Sequence, residues 1–348
     1  MKTFCWTISV AKFHHALKTG LIVALFFVVT ACNSERTSTT LSGATMGTTY
    51  HVTVINLDDT ESASVKASID HLLLQINQSM STYIPDSELS LINGVPGPSE
   101  HQISPPLARV LTEAISIGSV VPEYYDISVL PLVELWGFGA GKSDKVVPSE
   151  SSILGALSSV GWNKFALNGN TLSRYADVQI DLSSIAKGYA VDAVGELLTS
   201  LGYSHYLVEI GGEITTSGRN SRGKLWRVGI EQPSISGGPP VRAVPLDNLA
   251  VATSGDYRNF FVEGEKRYGH TISPITGYPV SNDSLSVTVI GPTCAYADGW
   301  ATALNASGPQ EGLRVANEQG IAALFIFADG DELRIMESRA YSEYLENL

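Results

Sequence analysis

The sequence predicts an α+β fold, with largely antiparallel sheets and packed helices in a single domain or two intimate lobes. Three observations lead there. Helix-like and strand-like segments do not alternate regularly, which disfavours a doubly wound parallel sheet. No G-x-G-x-x-G follows a strand-like run, so a dinucleotide-binding βαβ unit is not expected. Two late apolar runs, Ile321 to Phe327 and Leu333 to Met336, are joined through Asp329-Gly330, a turn pair that favours antiparallel hairpins.

The chain opens on a leader. Residues 1–31 carry Lys2, Lys12 and Lys18 with no acid, then an apolar run from Leu21 to Val29 that is too short for a permanent span. Val29-Thr30-Ala31-Cys32 resembles a bacterial lipobox, which implies acylation of Cys32 and a lipid anchor on the periplasmic side of a bacterial membrane. Asn33 after it resembles the pattern sent to the outer membrane. Residues 32–41, rich in serine and threonine, read as a tether, and 42–340 as the folded domain.

Within that domain, Thr48 to Val54 alternates as a strand, and Val65, Ile69, Leu72, Leu73 and Ile76 share one face of a helix. Ser104 followed by Pro105 and Pro106 starts a second helix, with Leu107, Val110, Leu111 and Ile115 as its buried stripe. Tyr175 to Ile180 reads as a strand entering a helix, in which Ala186, Ala190, Val194, Leu197 and Leu201 recur until Gly202 stops it. Short strands are expected at Tyr206 to Ile210, Trp226 to Ile230, Leu249 to Ala252 and Leu285 to Ile290.

The formal charge is −13, and losing the leader removes three lysines and no acid. Such a chain does not bind nucleic acid or an anionic membrane surface through bulk electrostatics. An anionic ligand therefore needs local help from helix N-termini, a lysine or a cation. Of the three cysteines, Cys5 leaves with the leader and Cys32 is the lipidation candidate, so Cys294 has no intrachain partner.

The segment DLSSIAKGYAVD, Asp181 to Asp192, sets an acid, two hydroxyls and Lys187 where a strand turns into a helix. Unpaired N–H groups and the helix dipole favour phosphate there, and the polar cluster is expected to cap the helix. In ADGWATA, Asp298 and Thr302 lie four apart, so one helix face offers a carboxylate and a hydroxyl to a hard cation such as Mg²⁺. Read alone, that pair is more often a cap and a buried hydroxyl. His270 is the one histidine in a Gly/Pro-rich loop motif, and an imidazole titrating near neutrality can deprotonate a hydroxyl. His51, His71, His101 and His205 show no pairing that suggests zinc.

Six motifs stand in order: GATMGTTY, MSTYIPDSELSLIN, YYDISVLPLVELWGFG, DLSSIAKGY, TSGDYRNF with GHTISPITGYPV, and ADGWATA. Their order and wording, from about Gly43 to about Ala306, resemble the FAD:protein FMN transferase family of ApbE type. The resemblance implies an α+β enzyme that takes FAD, releases AMP and links FMN through its phosphate to a threonine hydroxyl of a redox protein. It implies Mg²⁺ held by Asp298, Thr302 and a main-chain oxygen of Ser184, and His270 as the proposed base. It places flavin contacts on Met46, Tyr83, Tyr124, Tyr125, Asp126, Asp181, Lys187 and Ile272. Implied acceptors are subunits of membrane electron-transfer complexes such as sodium-pumping NADH:quinone reductase.

The wording departs in places. Gly299-Trp300 stand where the family more often has Ala-Leu, and Gly269, Ser273 and Ile275 alter the loop around His270, with Ser273 replacing an acid. A base role for Asp298 or solvent stays open beside His270. So do two other activities: a metal-dependent FAD pyrophosphatase and a flavin-binding lipoprotein without catalysis. Members resembling hydrolases carry Asn where Tyr83 stands, which favours transfer.

Overall fold

The computed structural model describes residues 36–141, 145–233, 239–255, 259–330 and 332–348. The leader, Cys32 and the first tether residues fall outside them. Thr37–Leu348 is one compact unit. It begins with β1 (Ser38–Thr45), β2 (Thr48–Ile55), α1 (Asp59–Met80), α2 (Glu88–Asn93), β3 (Ser99–Gln102), α3 (Pro105–Val120), α4 (Leu130–Leu135) and α5 (Glu150–Leu157). Next come β4 (Phe165–Asn168), β5 (Thr171–Arg174), α6 (Ala186–Ser200), β6 (Tyr206–Ile210), β7 (Glu213–Ser217), β8 (Trp226–Glu231), β9 (Pro240–Leu246) and β10 (Ala250–Ser254). It ends with β11 (Phe260–Glu263), β12 (Lys266–Gly269), β13 (Ser284–Gly291), α7 (Cys294–Ser307), α8 (Pro309–Gln319), β14 (Ala322–Asp329), β15 (Glu332–Glu337) and α9 (Arg339–Glu346). The predicted α+β class is what folds.

Eight strands form one antiparallel sheet in the order β1-β2-β6-β7-β10-β13-β14-β15. Side chains alternate faces along a strand, so the central strands show what covers each side. From β14, Ala323 and Phe325 enter the main core, while Leu324 and Ile326 enter a second cluster with β8, β9 and Tyr341 of α9. From β10, Ala250 and Ala252 take the first side and Val251 the second. Both faces are covered, which is why these strands read as continuous apolar runs. The helices α1, α3, α6 and α7 fill the main-core side.

Local signals explain the helices. Ser104 caps α3, accepting from the Leu107 N–H with prolines in the first turn. In its stripe Ile117 is buried, whereas the expected Ile115 is only partly so. Asp58 caps α1, and Val65, Ile69, Leu73 and Ile76 face the core. Among the described residues no helix is long and apolar enough to cross a membrane.

Three expectations need correction. Ser38 to Leu41, placed in the tether, pair with β2, with Leu41 buried opposite Val52. The fold also continues past residue 340, because Tyr341 is fully buried. Tyr175 to Ile180 is not a strand. Val178, Ile180 and Leu182 do alternate into the core, but the backbone bonds a side chain instead of a neighbouring strand. Ile180 N donates to Asn93 Oδ1 at 2.8 Å, and Asn93 Nδ2 donates to the Ile180 carbonyl at 2.8 Å. A buried extended segment thus satisfies its polar groups and mimics the period of a strand.

Candidate active site

The site is built around the N-termini of α6 and α7, and each helix caps the other. The residue before α6, Ile185, supplies no side-chain cap, so the expected capping by Asp181, Ser183 and Ser184 does not occur. Instead Gly188 N donates to Asp298 Oδ2 of α7 at 3.0 Å. In return Cys294 N and Ala295 N donate to the two oxygens of Asp192 in α6, at 2.7 and 2.9 Å. Burial pushes the Asp192 carboxyl up to about 6 against the pull of those N–H groups. Close packing makes the exchange geometrically feasible. A Cβ at Gly188 would overlap the Cys294 carbonyl and sit 2.8 Å from Ala295 N.

Three charged groups meet beside this junction. Lys187 Nζ donates to Glu213 Oε1 at 2.6 Å and lies 4.0 Å from Asp298 Oδ1. Burial works against the ammonium, but Asp298 and Glu213 hold its pKa above the ordinary lysine range. Burial also raises the carboxyls of Asp298 and Glu213, opposed in each case by Lys187. Lys187 and Glu213 form a close, largely buried pair at 2.6 Å. Glu213 Oε2 is buried without a hydrogen-bond partner.

The oxygens expected to hold Mg²⁺ are those left unengaged. Asp298 uses Oδ2 on Gly188, and nothing nearer than Lys187 engages Oδ1. Because Gly188 N bonds Asp298, it does not bond the Ser184 carbonyl four residues back, as a regular helix would. The Thr302 hydroxyl makes no hydrogen bond to the turn before it, unlike Thr112 and Thr199 in their helices. A carboxylate, a hydroxyl and a carbonyl suit a hard cation. The residues therefore fit Mg²⁺, although among the described residues no group of three or more His, Cys, Asp or Glu side chains is placed to hold a metal.

The expected flavin positions differ in burial and in the partners they hold. Tyr125 is buried, and its hydroxyl accepts from Ser184 Oγ at 3.0 Å. Burial raises its pKa, and the charges of Asp298 and Asp181 add to the effect. Asp181 is buried too, with its carboxyl raised by burial and its Oδ1 accepting from Ser183 N at 2.8 Å. Tyr83 keeps an exposed ring, while its hydroxyl donates to the Phe138 carbonyl at 3.1 Å. Met46 occupies the two-residue turn between β1 and β2 at φ 50°, next to Gly47 at φ 73°. An L-residue costs roughly 1–2 kcal/mol in that region, a strain that packing against the main core offsets. Asp126 turns inward, where Oδ1 accepts from Ser128 N and Oγ at 2.8 and 2.6 Å. Tyr124 lines a cleft of ≈ 440 Å³ together with Ser273, Pro274, Ile275 and Thr276.

His270 follows β12 at the edge of a third apolar cluster formed by Leu132, Trp136, Phe138, Ile153 and Ile272. Its ring meets Phe138 edge-on at 6.4 Å. The loop beyond it closes on itself. Ser273 N donates to the Tyr278 carbonyl, Val280 N to the Thr271 carbonyl, and Trp136 Nε1 to the Gly277 carbonyl at 2.8 Å. Gly277 sits at φ 71° with Ile153 against it, so only glycine fits. Ser273 Oγ accepts from Ile275 N and Thr276 N at 3.3 and 3.2 Å and shapes the turn.

Two residues of the site carry no local signature. Glu213 follows the Gly211-Gly212 turn and reads as the start of a strand, while Asp192 reads as one more polar helix position. Gly299 has a partner in α3. A Cβ there would collide with Ile117 Cδ1 and lie 3.5 Å from the Tyr125 hydroxyl.

Comparison with known proteins identifies relatives of the chain. A profile described as the ApbE family matches residues 46–325. A Haemophilus influenzae protein named FAD:protein FMN transferase is 40% identical over 342 residues, covering 95% of this chain and 98% of its own length. A Vibrio cholerae protein of the same name is 38% identical over 325 residues, covering 93% and 97%. The solved structure of the flavin transferase ApbE from Vibrio cholerae superposes with a TM-score of 0.82 at 38% identity, covering 88% of this chain and 99% of that one. The apo flavinyl transferase ApbE from Pseudomonas stutzeri gives 0.81 at 34%, covering 88% and 96%. With a family match across most of its length and relatives of this identity and coverage, the chain belongs to the ApbE family.

Proposed function

We propose that this chain is an FAD:protein FMN transferase that moves FMN from FAD to a threonine hydroxyl of a redox protein and releases AMP. The observation that carries the reading is the buried Lys187–Glu213–Asp298 cluster beside two helix N-termini, with unengaged oxygens on Asp298, Thr302 and Ser184. One lysine against two carboxylates leaves the cluster net negative, whereas the FAD pyrophosphate brings further negative charge. A cation is needed. Asp298, Thr302 and the Ser184 carbonyl would hold Mg²⁺, which would supply positive charge beside the transferring phosphoryl group.

The chain's own groups do the rest. Lys187, in the first turn of α6, orients the phosphates with its ammonium. Tyr83, Tyr124, Tyr125, Met46 and Ile272 line the flavin, Asp181 takes a donor from it, and Asp126 fixes the turn that carries Tyr125. His270 takes the proton as the threonine oxygen bonds the FMN phosphorus. The pyrophosphate bond breaks in line, and AMP leaves with the bridging oxygen.

The folded domain of residues 42–340, extended at both ends as described, is the catalytic unit of this reading. Cys32 carries the lipid that tethers it, through residues 32–37, to the periplasmic side of the membrane. Acceptors on that side are subunits of membrane electron-transfer complexes such as sodium-pumping NADH:quinone reductase. Mass spectrometry of such a subunit after incubation with enzyme, FAD and Mg²⁺ tests the proposal, and an added FMN on a threonine is expected. AMP release without an adduct on any acceptor would make the chain a pyrophosphatase. Bound FAD with no AMP would make it a flavin carrier.

A further inference from the structure

Glu213 belongs to the charged cluster above, with no role of its own there beyond its charge. It is 4% exposed, one oxygen is bonded to Lys187 at 2.6 Å, and the other is buried with no partner. Burying a carboxylate with an unpaired oxygen is costly, so its position calls for a reason. Lys187 supplies it. That ammonium has two carboxylates within reach, Glu213 at 2.6 Å and Asp298 at 4.0 Å, and the nearer Asp298 oxygen is the one Gly188 leaves unengaged.

We propose that Glu213 is a positioning residue: by holding Lys187, it keeps the ammonium off Asp298 Oδ1 and leaves that oxygen open to a divalent cation. An ammonium and a metal ion compete for the same lone pairs, so whichever group holds the lysine sets the affinity of Asp298 for metal. The Gly211-Gly212 turn delivers Glu213 to this place. Both glycines have positive φ, and Gly211 N donates to the Thr49 carbonyl, which ties the turn to β2. The inference rests on the Mg²⁺ reading above, and its test reads metal binding without turnover.

Mn²⁺ binding to the apoprotein, followed by electron paramagnetic resonance in the absence of FAD, is the measurement. Thermal melts of each variant confirm folding. Glu213→Gln is expected to weaken Mn²⁺ binding at least about tenfold, the order of effect of losing one partner of a site's polar network. Glu213→Asp keeps the charge but shortens the reach, and is expected to weaken it at least about threefold. Adding Lys187→Met to Glu213→Gln removes the competing ammonium and is expected to restore affinity to within about threefold of wild type. Wild-type affinity in Glu213→Asp would mean that only charge matters and would overturn the proposal. So would a double variant as weak as Glu213→Gln. If Glu213→Gln does not fold, Glu213→Asp decides. A wild type that binds no Mn²⁺ would remove the metal reading and this inference with it, whereas tight binding unchanged by every substitution would remove this inference alone.

Discussion

The α6–α7 wall and the loop that carries His270 are held in place differently. In the wall, polar groups find partners far along the chain, and the fit is backbone against backbone: Asp298 on Gly188, Asp192 on Cys294 and Ala295, Gly188 against the Cys294 carbonyl. In the loop, most hydrogen bonds are short in sequence and partly exposed, with Ser273 bonding Ile275 and Thr276, and one long-range bond, from Trp136 Nε1 to the Gly277 carbonyl, anchors it. The wall hangs on the main core and the loop on a separate apolar cluster. The groups proposed to bind charge are thus built into the main core, whereas the imidazole sits on a loop braced against the smaller, separate cluster. Substitutions in the first region should couple binding with stability. Those in the second should separate chemistry from both.

The largest effect is expected for Asp298→Ala. It removes the only carboxylate among the three oxygens proposed for Mg²⁺, and FMN transfer should fall below detection by mass spectrometry. It also uncaps α6, at about 0.5–2 kcal/mol, so the melting temperature should drop in parallel. Undiminished transfer, either by this variant or by wild type in excess chelator, would detach the wall from catalysis.

His270→Ala should slow turnover by about 10²–10⁴-fold, the range for one general base, while FAD affinity and melting temperature stay close to wild type. Titrating flavin fluorescence beside single-turnover rates separates the two. A parallel collapse of affinity and rate would make His270 a binding residue and erase the contrast between the regions.

A pair of stability measurements sharpens it further. Gly188→Ala forces a Cβ into the Cys294 carbonyl, where neither backbone yields easily, and should cost about 1–3 kcal/mol in denaturant unfolding. Ser273→Ala loses two weak bonds in an exposed turn and should cost under about 1 kcal/mol. Equal costs would mean that the loop is as integral as the wall.

The same contrast explains what the sequence disclosed. Long apolar stripes gave away α1 and α3, and the Ser104-Pro105-Pro106 start located a helix end, because those signals are local. Lys187 and Asp298 stood out in their motifs, and folding brings them within 4.0 Å. The cross-capping was invisible, since Asp192 meets its partner 102 residues away. Glu213 was equally silent, 26 residues from the lysine it holds. The false strand at Tyr175 to Ile180 has the same origin. Alternating burial was legible, but the partner that pairs with its backbone, Asn93, was not.

The smallest expected effect is none at all, and it concerns the turn next to the wall. Ser42-Gly43-Ala44-Thr45 resembles the tail of D-x-x-[ST]-G-A-[TS], the acceptor motif that the family resemblance implies, which makes Thr45 a candidate target of the chain's own activity. Thr39 stands where the motif has aspartate, and the structure adds a stronger obstacle. Thr45 is a buried residue of β1 paired with Thr48, and its hydroxyl accepts from Asn77 Nδ2 at 2.9 Å. To reach in-line geometry behind a phosphorus, the hydroxyl would have to break that bond and unzip the end of the hairpin. Intact-mass analysis of wild type incubated with FAD and Mg²⁺, without acceptor, should show no FMN adduct. Asn77→Ala frees the hydroxyl but leaves the strand paired, so it should show none either. An adduct on Thr45 in wild type would mean that this edge of the sheet opens during turnover, and that the contrast between a fixed wall and a separable loop is drawn in the wrong place.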